Sequence, residues 1–273
     1  MENNIYSRTE SLIGKDSLEI LKNSIRYPFT DIKTFLIIGV LFFASFISNF
    51  PGTFLKNEFM VIVGGIVSLI ITIIVIGYEL DVLKFGIELK DELPSIDIKR
   101  NLKNGIKLFI VDIIYYFIPL VVITIALFIF TGIAATKVTN LEFVGNVTPV
   151  DLLNTILTPD FAASIIIVAI VLIIMCIMFS LLALMGQSRL AKTGSIDDAI
   201  RFGKSYRDLK EIGVGKTLAL IILLYILILV IFLIMAVISL IPVIGIIIAF
   251  IVGDTFIAFV QYRAFGLLYS EIA

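Results

Sequence analysis

Two carboxylates stand in stretches of this chain that are otherwise almost free of charge. Asp112 lies about one turn into the run Leu108–Thr136, and Asp254 lies deep in the closing apolar stretch. An ionisable side chain inside an apolar run is costly, faces a protein interior or water, and marks a binding site or ion path by default. Asp112 is followed by Tyr115, Tyr116 and Pro119. Pro119 has no N–H to give the carbonyl of Tyr115, so a kink and a free acceptor are expected there. Two helical turns after Asp254, on the same face, comes Gln261. The nearest cation in sequence, Arg263, is about 13 Å away along a helix, too far for a direct pair. Asp254, Gln261, Asp112, Tyr115 and Tyr116 are therefore the candidate ligand-binding residues. Two states are open to each acid: a neutral carboxyl hydrogen-bonded to a neighbouring helix, or a carboxylate reached by water or a bound cation.

Other chemistry finds little support. The chain has no histidine, which removes imidazole ligands and histidine-based triads. The one cysteine, Cys176, sits in the apolar run LIIMCIMFS and reads as a small buried hydrophobe. Gly213-Val214-Gly215-Lys216-Thr217 resembles the end of a phosphate-binding loop, but the position where that loop needs its first glycine is Lys210, and no strand precedes it. No catalytic residue, metal site or cofactor is expected, and no enzymatic activity. A formal charge of −1 argues against a nucleic-acid partner.

The elements that must position the two acids are membrane helices. The chain is 60% hydrophobic over 273 residues, with a mean hydropathy of +1.12, and only lipid can cover so much apolar surface. A bilayer core needs about 20 apolar residues per helix. The apolar runs place spans at 34–55, 59–78, 108–131, 161–186, 217–240 and 246–265. The last two share one uncharged stretch that would run about 55 Å as a single helix, against a core of about 30 Å. Pro242 and Gly245 supply the break between them. Gly245, Ala249 and Gly253, spaced by four, form a small-residue stripe that favours close helix packing. The fold class is all-α: a polytopic helical bundle of six transmembrane helices, forming one integral membrane domain over 1–273. The first apolar run begins only after some thirty mostly polar residues, so no cleavable signal peptide is expected before the fold.

Orientation follows from the basic residues. Of the 21 lysines and arginines, only Lys56 and Lys137 fall on one side of the spans, and the remaining nineteen fall on the other. Both termini are expected in the cytoplasm, with the protein in the cell membrane. Three cytoplasmic segments, 15–30, 81–107 and 189–216, are amphipathic. Lys99, Lys103 and Lys107 share one helical face, and Arg201, Lys204 and Arg207 form a basic ridge after a capping pair, Ser195 and Asp198. Lys99, Lys103, Arg201, Lys204 and Arg207 are candidate contacts to lipid headgroups or to a partner. On the outer side, Thr148-Pro149-Val150-Asp151 and Thr158-Pro159-Asp160 read as helix starts, with a short surface helix over 149–157. Asn146-Val147-Thr148 matches a glycosylation acceptor, disfavoured by Pro149 and by the nearby membrane.

Each amphipathic segment begins serine, aliphatic, acid (at Ser17, Ser95 and Ser195), which suggests three repeated units of amphipathic helix plus hairpin. The residues Tyr27-Pro28-Phe29 with Asp31, Gly77-Tyr78, Glu92-Leu93-Pro94, Gly105-Ile106-Lys107 leading to Tyr116 and Pro119, Ala199-Ile200-Arg201-Phe202 and Tyr262-Arg263-Ala264-Phe265-Gly266 carry a resemblance. Through them the chain resembles domain-of-unknown-function family 4013, multi-pass membrane proteins frequent in methanogenic archaea. The resemblance spans nearly the whole chain and implies a membrane architecture, without assigning any site residue. At Asp81 this chain departs from the basic residue that the family pattern implies. The expected function is a carrier or binder of a small or lipidic ligand in an interior pocket. The alternative is a membrane scaffold or assembly factor that engages a partner through its cytoplasmic helices. The expected partners are the lipid bilayer and a lipid or small-molecule ligand, and the oligomeric state is not set by the sequence.

Overall fold

A computed structural model describes residues 16–48, 50–142 and 158–273, with backbone alone over 137–142. Every regular element among the described residues is helical. In order they are α1 (Ser17–Arg26), a 3₁₀ turn (Tyr27–Thr30), α2 (Ile32–Ile47), α3 (Phe50–Phe54), α4 (Glu58–Ile87) and α5 (Ile98–Glu142). They continue with α6 (Pro159–Thr193), α7 (Ile196–Ala199), α8 (Phe202–Ile212), α9 (Val214–Ile238) and α10 (Ile244–Ile248). A π turn (Ala249–Asp254), α11 (Thr255–Tyr269) and a final 3₁₀ turn (Ser270–Ile272) complete the chain. Among the described residues, six helical stretches are long and apolar enough to cross a membrane, as the apolar runs predict. The predicted surface helix over 149–157 and the acceptor at Asn146 lie outside the described residues.

Local chemistry explains most of the helix ends. Asp16 caps α1, Asn57 caps α4 through the Met60 N–H, and Asp31 caps α2 by accepting from the N–H groups of Lys33 and Thr34. The Thr34 hydroxyl also donates to Asp31, and these bonds hold the Asp31 carboxyl below its ordinary range. Pro159 and Asp160 open α6 as their order predicts. Pro119 sits inside α5 without ending it. The expected break between the last two spans is present: α9 stops at Ile238 and α10 starts at Ile244, with Val243 at φ 63°. A methyl on Gly245 would come within 2.0 Å of the Ile238 carbonyl oxygen, and one on Gly253 within 2.9 Å of Met235. The small-residue stripe therefore does pack, and its partner is α9.

Several boundaries differ from those expected, the fourth span also running past 186 to Thr193. The second span continues past Tyr78 to Ile87, the third begins at Ile98, and its helix runs on into the expected outer connection as far as Glu142. Glu79 and Asp81 do not end α4 because protein, rather than lipid, surrounds them: both are buried. The 81–107 segment is accordingly the joined ends of two spanning helices and not a separate surface helix. The three serine starts also do different work. Ser17 opens α1 behind its Asp16 cap, the Ser95 carbonyl accepts from Arg100 ahead of α5, and Ser195 caps α7. The repeat is thus not borne out in the roles of these serines.

Helix contacts divide the chain into two compact units, one built from the residues up to Asp112 together with Leu184–Ala273, the other from Ile113–Ala183. In the larger unit, α1, α2, α4 and α11 meet around Tyr27, Phe35, Ile38, Tyr78, Val82 and Phe259. Glycines set how closely the helices approach. A methyl on Gly77 would come within 1.8 Å of the Asn101 carbonyl oxygen, and one on Gly105 within 1.8 Å of that of Ile73, so α4 and α5 cross backbone to backbone. Gly86 and Gly266 do the same for α4 and α11. The smaller unit buries Tyr115, and an edge contact joins Phe130 to Phe161 at 5.7 Å between ring centroids.

Candidate functional site

Both acids singled out in the sequence belong to the larger unit, Asp112 at its basic end and Asp254 away from it, beside the middle of α4. Asp112 accepts a hydrogen bond from the Gln187 amide at 2.7 Å, so α5 is tied to α6 there. Glu79 of α4, only 7% exposed, accepts from the Tyr262 hydroxyl. Glu79 has no counterpart in the sequence reading, where it falls just past the expected end of a span.

Around these acids the basic end of the unit is knitted by ion pairs between distant elements. Arg263 is buried and reaches across to the end of α4. It donates to the carbonyls of Phe85 and Lys90 and to Asp91 at 2.9 Å, and its guanidinium lies 4.5 Å from the Tyr27 ring centre. The carbonyls at the C-terminus of a helix lack intrahelical donors, and a cation offsets the dipole there. Tyr27 donates to the Glu92 carbonyl, and burial raises its phenol above the ordinary value. Asp81 is filled from three donors on α5: Arg100 at 3.0 Å, Asn101 at 3.3 Å and Asn104 at 2.9 Å. Arg189 meets Asp208 at 2.5 Å, with the Tyr269 hydroxyl on the same carboxylate at 2.8 Å. Lys216 pairs with Glu271 at 2.5 Å, a use unlike that of a phosphate-loop lysine.

The region around Asp254 is built differently. The π turn widens the helix by one residue between α10 and α11, a device common at functional sites. It is held by close approaches on both sides, Gly39 of α2 against the Ile251 carbonyl and Gly253 against Met235 of α9. Asp254 ends the turn, half-buried, and lines two clefts. The first has a volume of about 470 Å³ and carries Ser45, Ser68 and Thr72 with Phe42 and Phe46. Its three hydroxyls form a row, Ser45 Oγ lying 3.0 Å from Ser68 Oγ and 2.8 Å from Thr72 Oγ1. Phe46 stacks on Phe250 at 4.1 Å. The second cleft, of about 280 Å³, is walled by Phe232, Met235 and Ile257 with Ser239. No cation is among the residues lining either cleft. Thr255, next along the chain, is fully buried, and its hydroxyl has no partner among the described residues.

The predicted set is therefore not brought together as one site. Asp254 lines the clefts, Gln261 is half-buried beyond them on α11, and Asp112 works at the basic end. Tyr115 and Tyr116 belong to the other unit, Tyr115 buried and Tyr116 44% exposed. Of the basic candidates, Lys99, Lys103 and Arg207 are exposed, while Arg201 and Lys204 both turn to Asp198, at 3.9 and 2.7 Å. Lys204 is the main reason the Asp198 carboxyl lies below its usual range. The ridge also spans a break, since α7 ends before Arg201 and α8 begins after it. The hydroxyl row leaves little trace in the sequence because Ser45, Ser68 and Thr72 lie on two helices; the spacing of Ser68 and Thr72, four apart within α4, is its one local sign.

A family model described as a protein of unknown function (DUF4013) matches residues 60–240. No curated protein and no solved structure matches the chain.

Proposed function

The chain belongs to the DUF4013 family, and we propose that it is a non-enzymatic membrane carrier or binder of a small amphiphile, held in the clefts beside Asp254. The observation that carries this reading is one carboxylate shared by two apolar-walled clefts, with a hydroxyl row in the larger. Such a lining suits a ligand with an apolar body and a hydrogen-bond-donating or cationic end, because pockets of this kind fix orientation through a few polar groups. The unpartnered Thr255 hydroxyl adds a polar group beside the same turn. The scaffold alternative draws less support. The faces of α1 and α8 that would meet a partner are already used, burying Ile20 and Leu21 in one and Leu209 and Ile212 in the other.

The basic end faces the cytoplasm in this proposal, with both termini on that side of the cell membrane. In a Cys176→Ser background, a cysteine at 56 should react with an impermeant maleimide from outside, and cysteines at 100 or 204 only after permeabilisation. The reverse pattern contradicts the orientation. Ligand binding is tested by extracting small molecules from purified wild type and Asp254→Asn and comparing them by mass spectrometry. A molecule kept by the wild type and lost from an equally stable variant supports the reading. Identical extracts contradict it.

A further inference from the structure

A further cleft lies at the basic end, separate from those beside Asp254. Its volume is about 270 Å³, and it opens between α4, the first turns of α5 and the last turn of α6. Four cations line it, Lys84, Arg100, Lys107 and Lys192, against one carboxylate, Asp81. That carboxylate is already satisfied on both oxygens, by Asn104 on Oδ1 and by Arg100 and Asn101 on Oδ2. Lys107 spans to the Gly194 carbonyl at 2.5 Å and fixes one rim. Gly194 stands at φ +69°, and a Cβ there would meet nothing within 4 Å, so the backbone on that rim faces open space. Lys84 and Lys192 are both exposed, and among the described residues Lys84 pairs with Glu88 alone, at 3.8 Å.

We infer that this cleft binds a phosphate-bearing anion, a phosphomonoester or phosphodiester group, between Lys84 and Lys192 with Arg100 and Lys107 behind. Compact ammonium groups converging on one space suit the spread charge of a phosphate, and basic clefts between spanning helices at headgroup depth take anionic lipid headgroups. The depth fits: directly after Lys107, α5 turns apolar, with Phe109 and Ile110 exposed where acyl chains would lie. The same chemistry also fits a soluble phosphate compound, and the test separates the two. The inference is independent of the Asp254 clefts.

Full-length protein in detergent is titrated with phosphatidylglycerol and with phosphatidylcholine, and bound lipid is counted by native mass spectrometry. Lys84→Gln/Lys192→Gln removes two cations while leaving the Arg100–Asp81 and Lys107–Gly194 contacts. Phosphatidylglycerol affinity should fall about thirtyfold in it, with phosphatidylcholine unaffected. Lys84→Arg/Lys192→Arg should keep the binding, which separates lost charge from lost folding. Lys99→Gln/Lys103→Gln makes the same charge change on an exposed face and should cost less than fivefold. Inorganic phosphate that competes with the lipid points to a soluble source, and phosphate that does not points to the headgroup. Equal losses in the two glutamine pairs, or no preference for phosphatidylglycerol, overturn the inference.

Discussion

Two regions of the larger unit handle their polar groups in opposite ways. At the basic end, charges are paired across the chain, and each pair has at least one largely buried member: Arg263 to Asp91, Arg100 to Asp81, Arg189 to Asp208 and Lys216 to Glu271. Away from that end the cleft-lining acid, Asp254, has no lining cation, and its neighbours are hydroxyls and aromatic rings. The difference separates stability from recognition. Buried charges with every partner in place lock elements together, whereas a carboxylate between two clefts keeps its capacity to bind.

The comparison can be broken most forcefully at Asp208. Arg189 and Asp208 are 12% and 6% exposed, so Asp208→Ala strands a buried guanidinium and should cost about 3–5 kcal/mol in unfolding measurements. A loss below about 1 kcal/mol would mean that this end is held by packing alone. Next comes Gly77→Val. It drives a side chain into the Asn101 backbone, and about 1–3 kcal/mol should be lost with the α4–α5 crossing. Ser45→Ala beside Asp254 should cost no more than about 1 kcal/mol, because what it removes is hydrogen bonding between neutral hydroxyls at an open cleft.

The smallest effect is at Asp31. Its folded carboxyl is held below the unfolded value, so its capping contribution is complete above the unfolded pKa and is lost as pH falls through the folded one. The melting temperatures of wild type and Asp31→Ala should therefore differ at neutral pH and converge in acid. A gap that stays constant with pH would assign the cap to geometry instead of charge.

What the sequence made legible were features with a local cause. Span number follows from the length of the apolar runs, the break at Pro242 and Gly245 from residue type, and the starts of α6 and α7 from Pro159 and Ser195. Features with a distant cause were hidden. Glu79 and Asp81 look like charges that end a span until Tyr262, Arg100 and Asn104 are folded against them. Arg263 reads as one more topology-setting cation, yet it clasps the end of α4 from 178 residues away. The π turn over Ala249–Asp254 has no compositional sign, because Gly39 and Gly253, which hold it, matter only through what approaches them. Asp254 itself was legible, since an acid so deep in an apolar run needs a reason wherever the helices lie.

The most direct test of the contrast compares the carboxyls themselves. A hydrophobic carbodiimide reaches acids from the membrane, and the modified residues can be counted by peptide mass spectrometry. Asp254, open to two clefts, should be labelled well before Glu79, which is 7% exposed and held by Tyr262. Labelling of Glu79 first, with Asp254 inert, would contradict the assignment of Asp254 to ligand binding and of Glu79 to structure.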